Sequence, residues 1–415
     1  MKSRIDARQH LRILILVENL PSPFDRRVWQ QATSLRRHGH HVSIVCPTGR
    51  GYEAEHELIE GIHIYRYRLP TEAEGPLGYL VEYAAAIWHS FRLAWIVRRR
   101  HGIDLIHACN PPDLLFAVGG TFKLAFGTRF LFDHHDINPE LFEAKFGRRG
   151  PLWRLMVWLE RMTFRVADVS IATNESYKRI AIERGGMDPD RVFVVRSGPK
   201  LDRLRISPPK PELKRGRRFM VGYVGVMGRQ EGIDYLLHAV RDIVHDIGRT
   251  DVHFALVGGG TSLDEMRQLA VRMNISEYIT FTGRVPDDVL LDVLNTADVC
   301  VNPDVANEMN DKSTMNKIME YMALAKPIVQ FDLTEGRVSA GDASLYAAKN
   351  DSRDLAVKIL ELLDDPVRRA RMGALGRWRI ENELEWRFEE PKLLQAYGTI
   401  FEQSKNRGRG RRLRR

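Results

Sequence analysis

The run Ile13-Leu-Ile-Leu-Val17 is apolar at every position, so a strand made from it must be covered on both faces, as in a parallel sheet flanked by helices. A turn-rich loop, residues 18–25, follows it. Next comes a helical pattern with Val28, Ala32 and Leu35 on one side, Asp25 as its candidate cap and Gly39 as its stop. Residues 41–46 make a second strand. Strand, loop, helix and strand in this order begin a doubly wound α/β sheet, whose ligands bind in the loops at the carboxyl ends of its strands. Further apolar runs at 61–67, 104–108 and 129–133 extend the first sheet, and those at 218–225, 254–258 and 327–331 build a second. Between the two sets, residues 199–218 hold four prolines and many basic residues, a linker composition.

A chain of 415 residues is too long for one core and suits two domains. With 44% hydrophobic and 28% charged residues it is an ordinary globular composition. The formal net charge of +9 points to an anionic partner, and no nucleic-acid motif accompanies it. Cys46, Cys109 and Cys300 are single and far apart, which argues against a disulfide framework or a zinc site and fits a reducing, cytoplasmic compartment. His38, His40 and His41 do not read as metal ligands, because neighbouring strand residues face opposite ways. The opening dozen residues are polar and basic, unlike a secretory signal. Residues 78–97 are hydrophobic but carry Glu82, His89 and Arg92, so an amphipathic helix is expected rather than a spanning one. Ending in Arg98-Arg99-Arg100, it either packs on the sheet or lies on an anionic membrane.

Three polar stretches carry chemistry. Within the stretch 310–329 a short two-faced helix is expected, with Met315, Ile318, Met319 and Met322 on one side and Ser313, Asn316, Lys317 and Glu320 on the other. Ser313 or Thr314 is its expected cap, and Pro327 ends helix before a buried strand. The polar face is either solvated or faces a ligand. The second stretch, Asp133-His-His-Asp-Ile-Asn-Pro-Glu140, crowds titratable groups at a strand's end, where they either cap a helix or serve an acceptor. The third, Gly258-Gly-Gly260, leads to Ser262 and Glu265 at capping-box spacing, so that backbone amides at a helix amino end could meet a phosphate.

These stretches together resemble family 4 glycosyltransferases of the GT-B fold. Glu320 and Met322-Ala323, then Lys326-Pro-Ile-Val329, match the family's nucleotide-sugar motif, with Lys312 in place of its first glutamate and Ala325 in place of its glycine. Gly225 and Gly232 match its diphosphate loop, but Val226 replaces the arginine and Glu231 the lysine. The resemblance implies two facing Rossmann-like domains with parallel sheets, residues 1–204 for the acceptor and 205–376 for the donor. A helix at 377–403, kinked at Pro391 and anchored by Trp378, Trp386 and Tyr397, would cross back to the first domain, and 404–415 would be a disordered basic tail. The implied reaction moves a sugar from a nucleoside diphosphate sugar to a glycan or lipid-linked acceptor hydroxyl with retention, without cofactor or metal because no carboxylate pair is placed to hold one. It implies Glu320 on the ribose, and His135 and Asp136 at the acceptor side with Ser22, Asp25, Arg26, His134 and Glu140 near them. The donor would lie against Gly225, Arg229, Gly258, Gly259, Gly260, Arg284, Val285, Lys312, Ser313 and Lys317, with Lys312 or Arg229 supplying the charge missing at Glu231. A sugar-nucleotide epimerase and a non-catalytic scaffold on the same fold are the alternatives.

Overall fold

The computed structural model describes residues 10–49, 51–69 and 75–412, and residues 1–9 and 413–415 lie outside them. Contacts divide the chain into two units. The first takes in the chain up to Glu143, Arg148–Val195 and the chain from Glu390 on; the second is Arg196–Glu389 with Ala144–Gly147. Leu204 is buried in the second unit's core, so the change of unit falls at Val195, nine residues before the expected boundary.

In the first unit the strands are β1 (Arg12–Leu16), β2 (His41–Pro47), β3 (His56–Ile59), β4 (Ile62–Tyr67), β5 (Leu105–Cys109), β6 (Arg129–His134), β7 (Val169–Ala172) and β8 (Val192–Val194). Their order is β3-β4-β2-β1-β5-β6-β7-β8, parallel throughout except that β3 runs antiparallel to β4. The helices are α1 (Arg26–Arg37), α2 (Gly75–Arg100), α3 (Phe116–Phe126), α4 (Asn138–Phe146), α5 (Pro151–Val166) and α6 (Glu175–Glu183). The apolar runs form the central strands because both their faces are covered: β5 is buried at every position and β1 at all but Arg12. Asp25 caps α1 as expected, its carboxylate accepting from Val28 N at 3.1 Å.

The second unit holds β9 (Phe219–Val224), β10 (Val252–Val257), β11 (Ile279–Gly283), β12 (Val299–Asn302), β13 (Ile328–Phe331) and β14 (Ser344–Ala347), in the all-parallel order β11-β10-β9-β12-β13-β14. Its helices are α7 (Ile233–Arg241), α8 (Leu263–Arg272), α9 (Asp287–Thr296), α10 (Glu308–Lys312), α11 (Asn316–Ala323), α12 (Thr334–Ala340), α13 (Ser352–Asp364) and α14 (Pro366–Arg379), and α15 (Trp386–Arg412) closes the chain. The strand order reverses direction at β9, beside β12, which makes this the topological switch point where α/β sheets bind ligands.

Several expectations are corrected. The proline-rich stretch is not a free linker, because it is fastened along α9: Lys210 N donates to Thr296 Oγ1 at 2.8 Å, and Lys214 pairs with Asp298 at 2.7 Å. A break in the expected closing helix falls at Glu385, whose extended backbone separates α14 from α15, while Pro391 lies within α15, as the expected helix had it. Trp386 and Tyr397 are buried anchors, but Trp378 is half-exposed. From 404 to Arg412 the backbone continues α15 rather than leaving the helix. Ser262 precedes α8 without making a side-chain cap, so no capping box forms.

Candidate functional site

Successive strand residues point to opposite faces, and at the end of β6 this sorts the titratable tract. Asp133, wholly buried, points toward α1, where Arg27 Nη2 donates to Oδ1 at 2.8 Å and Gln31 Nε2 to Oδ2 at 2.7 Å. Arg27 and Gln31 are one helical turn apart, so a single face of α1 serves one carboxylate. His135 Nε2 lies 2.8 Å from the same Oδ2 and His107 Nε2 3.4 Å. Burial alone would push the Asp133 carboxyl up, but the Arg27 charge and the two imidazoles hold it well below the usual range. His135 is partly exposed, so it is the member of the cluster that can meet a ligand. Asn110, at the end of β5, fixes the loop: its Oδ1 accepts from the amides of His135 (2.7 Å) and Asp136 (3.1 Å), and its Nδ2 donates to Asp136 O at 2.6 Å.

His134 is not part of this group. It is buried on the opposite face among Phe132, Phe164 and Tyr177, 3.6 Å from Glu160. Glu140 is also corrected to a structural role, since Arg184 binds it at 2.5 Å and Glu160 at 2.5 Å. Ser22 is buried beneath its loop with its carbonyl taken by Arg66, and the Asp25 carboxylate is used as the α1 cap. Arg26 is exposed at the start of α1, while its neighbour Arg27 does the buried work. His107, Cys109 and Asp133 bring possible metal-ligating atoms within 4.8 Å of one another. Arg27 and Gln31 already occupy that carboxylate, and burial pushes the Cys109 thiol well up, so the residues do not fit a cation.

In the second unit, α11 carries Glu320 to the switch point. Tyr321 holds the helix there: its hydroxyl accepts from Val224 N at 2.9 Å on β9 and donates to Val301 O at 3.2 Å on β12. Glu320, largely covered, accepts from Arg203, which also binds Asp287 at 3.0 Å. The loop after β9 lies against the three glycines, with Met227 N donating to Gly259 O and Ser262 N to Met227 O, both at 2.9 Å. Gly258 has φ +132°, and a Cβ there would sit 1.9 Å from Gly225 O; a Cβ at Gly260 would sit 2.5 Å from Met227 O. These two glycines are therefore required by backbone packing against backbone. Gly259 alone is open, with Arg284 N its nearest neighbour at 3.9 Å from a built Cβ, which puts the Arg284-Val285 backbone beside it.

The charge expectations change most. Lys312 does not lead α11: it ends α10 and pairs with Glu308 one turn back. Ser313 donates to Met309 O at 2.7 Å, and α11 starts at Asn316 with Met315 in the cap position. Arg229 is exposed in a short turn. The cation that meets Glu231 is Lys317, 2.5 Å away and also 2.8 Å from the wholly buried Asp304. Lys317 is thus largely covered rather than on an open face. Two carboxylates do converge here, contrary to expectation, with its ammonium between them. Burial would lower the lysine's pKa, but Asp304, Tyr223 and Glu231 hold it well above normal. Sequence reasoning missed Arg27, Gln31, His107, Asn110, Tyr321 and Asp304.

Two family models match the chain: "Glycosyltransferase Family 4" over residues 25–203 and "Glycosyl transferases group 1" over 218–365. A D-inositol 3-phosphate glycosyltransferase of Thermomonospora curvata is 26% identical over 332 residues, 75% of this chain and 69% of that protein. A GDP-mannose-dependent monoacylated alpha-(1-6)-phosphatidylinositol monomannoside mannosyltransferase of Corynebacterium glutamicum is 26% identical over 205 residues, covering 46% of this chain and about half, 53%, of that protein. The sucrose-phosphate synthase structure from Thermosynechococcus elongatus superposes with a TM-score of 0.79 at 18% identity, covering 95% of this chain and all of that one, a likeness of fold.

Two outcomes are expected from this geometry. Gly258→Ala, which combines a positive φ with a 1.9 Å clash, should destabilise the protein by at least about 3 kcal/mol in denaturant unfolding, while Gly259→Ala should leave stability within about 1 kcal/mol. The second concerns Asp113, which accepts from Asn110 and Asn138 and whose carboxyl is pushed up to about 7, first by burial and then by Glu160. A carboxyl raised on folding stabilises fully below its unfolded pKa near 4 and loses that contribution as pH rises through the folded value. Unfolding free energy should therefore carry a downward component between pH 4 and 8 that Asp113→Asn removes, and identical slopes in parent and variant would refute it.

Proposed function

The chain belongs to glycosyltransferase family 4 and is a glycosyltransferase of the GT-B fold, and from that premise we propose that it moves a sugar from a nucleoside diphosphate sugar to an acceptor hydroxyl with retained configuration. The observation that carries the reading is Glu320, held at the second sheet's switch point by the Tyr321 hydroxyl, where it can accept from ribose hydroxyls once Arg203 yields. In the reaction the bond between the sugar's anomeric carbon and the diphosphate oxygen breaks, and the diphosphate leaves with the electron pair. The acceptor oxygen bonds to that carbon, and its proton passes to the departing diphosphate. Charge builds on the diphosphate, and the open glycine turn at Gly259 and the nearby Lys317 ammonium are the groups suited to offset it. On the first unit, His135 and Asp136 are the acceptor-side groups, with His135 oriented by the ionised Asp133.

The acceptor is a glycan or lipid-linked glycan met at an anionic membrane surface, in polysaccharide or cell-envelope assembly on the cytoplasmic side. Among the described residues no helix is long and apolar enough to cross a membrane. The support is a surface of α2, α3 and α5. On α2 the inward stripe Ala86, Ser90, Leu93, Ala94 and Val97 is buried, while Val81, Trp88, Arg92, Trp95 and Arg99 form an outward stripe. Trp88 is 67% exposed, Leu124 on α3 90% and Trp158 on α5 52%. Arg98 stacks on Phe126 at 3.7 Å, so apolar rings and cations share the face. The relative from Corynebacterium glutamicum is named for a lipid acceptor and a nucleotide-sugar donor.

Glu320→Gln should weaken nucleotide affinity, measured by calorimetry, by about 10- to 100-fold, the worth of a charge-assisted hydrogen bond. His135→Ala should lower turnover far more than donor affinity. Unchanged nucleotide binding in the first variant would sink the donor assignment, and nucleotide release that needs no acceptor would favour an epimerase.

Flotation with anionic vesicles should recover the protein, neutral vesicles should recover little, and Trp88→Ser with Trp158→Ser should weaken binding by about tenfold or more, since basic residues contribute about 1 kcal/mol each near such a surface and inserted rings add to this. Equal binding by parent and double variant would remove this face from the interaction.

A further inference from the structure

The last helix reaches the candidate acceptor site through one hydroxyl. Leu393, Ala396 and Ile400 bury the apolar side of α15, and a phenylalanine at 397 would pack as well as the tyrosine does. Yet the Tyr397 hydroxyl is fully buried, a cost unless it finds a partner, and it lies 2.6 Å from His107 Nδ1. A carboxylate can only accept, so Asp133 beside Nε2 calls for the ring hydrogen there, which leaves Nδ1 to accept from the phenol. With Nδ1 accepting, the ring hydrogen of a neutral His107 resides on Nε2, which faces Asp133 Oδ2 at 3.4 Å. That oxygen is the one 2.8 Å from His135 Nε2.

We infer that Tyr397 is a positioning residue for the transfer reaction: it fixes the Nε2–H tautomer of His107, and His107 in turn helps to keep the Asp133 carboxylate aimed at His135. The inference rests on the reading of His135 as an acceptor-side group. In the opposite tautomer the Nε2 lone pair would face the carboxylate, and the repulsion would turn Asp133 away from His135. Arg27 and Gln31 hold the carboxylate from α1, so its loss of aim in that tautomer would be partial.

The test uses the full-length chain. Histidine-ring nitrogen NMR should show His107 as the Nε2–H tautomer in the parent and as a mixture in Tyr397→Phe. In the same variant kcat for transfer should fall by about tenfold, with nucleotide affinity within about twofold of the parent. An Nδ1–H signal from the parent overturns the inference before any variant is made. So does a Tyr397→Phe protein with parental kcat. Because the tautomer is read without turnover, an error in the assignment of His135 would show separately, as a His135→Ala protein that transfers sugar normally.

Discussion

An ionised carboxylate with no access to water is tolerated only when cations and hydrogen-bond donors surround it, and Asp133 meets that condition by drawing on elements far apart in the chain. Arg27 and Gln31 come from α1, His107 from β5 and His135 from the loop after β6. Removing Arg27 would leave the charge uncompensated in a medium where that costs several kcal/mol, and removing Gln31 would take away a hydrogen-bond donor. The alignment of α1 with the carboxyl ends of β5 and β6 thus depends on this anion. The geometry of the candidate acceptor loop follows from it, with Asn110 as the second fastening.

The second unit solves a different problem, the placement of positive charge near glycine-rich turns. The resemblance expects a lysine at the position of Glu231, and this chain has an acid there. The acid binds Lys317, delivered from α11, so a charge lost from one loop is supplied by the neighbouring helix. Asp304, pushed up to about 7 by burial and by Glu231, shares that ammonium. The cluster is therefore close to neutral rather than strongly basic, and the backbone amides are left with much of the work on an anionic ligand.

Much of the architecture was legible because burial on both faces demands apolar runs, and β1, β2, β5, β6, β9 and β10 show such runs plainly. The edge strand β3 was missed because it is half-exposed and short, and β14 because its four residues carry little pattern. In the sites, position at a strand end pointed to His135 and Asp136, and the helical pattern to Glu320. It could not separate His134 from His135, which differ only in the face they occupy. Arg27 and Gln31 had a readable sign in their one-turn spacing, as did His107 in an otherwise apolar strand. The partners of Lys317, Glu231 and Asp304, were not legible because helical periodicity gives the side a residue is on and says nothing of what stands opposite.

Tyr321 has a consequence for how the second sheet opens. β9 and β12 pair over only two residues, Val221 with Val299 and Gly222 with Cys300, and beyond them the ladder stops. Two strands parting inside a protein ordinarily strand an amide on one side and a carbonyl on the other. Here a phenol spans the gap, taking the hydrogen of Val224 and giving its own to Val301. The gap between the strands is set by the reach of one aromatic ring, and the chain keeps a mouth at the middle of its sheet without leaving either of these backbone groups unmatched.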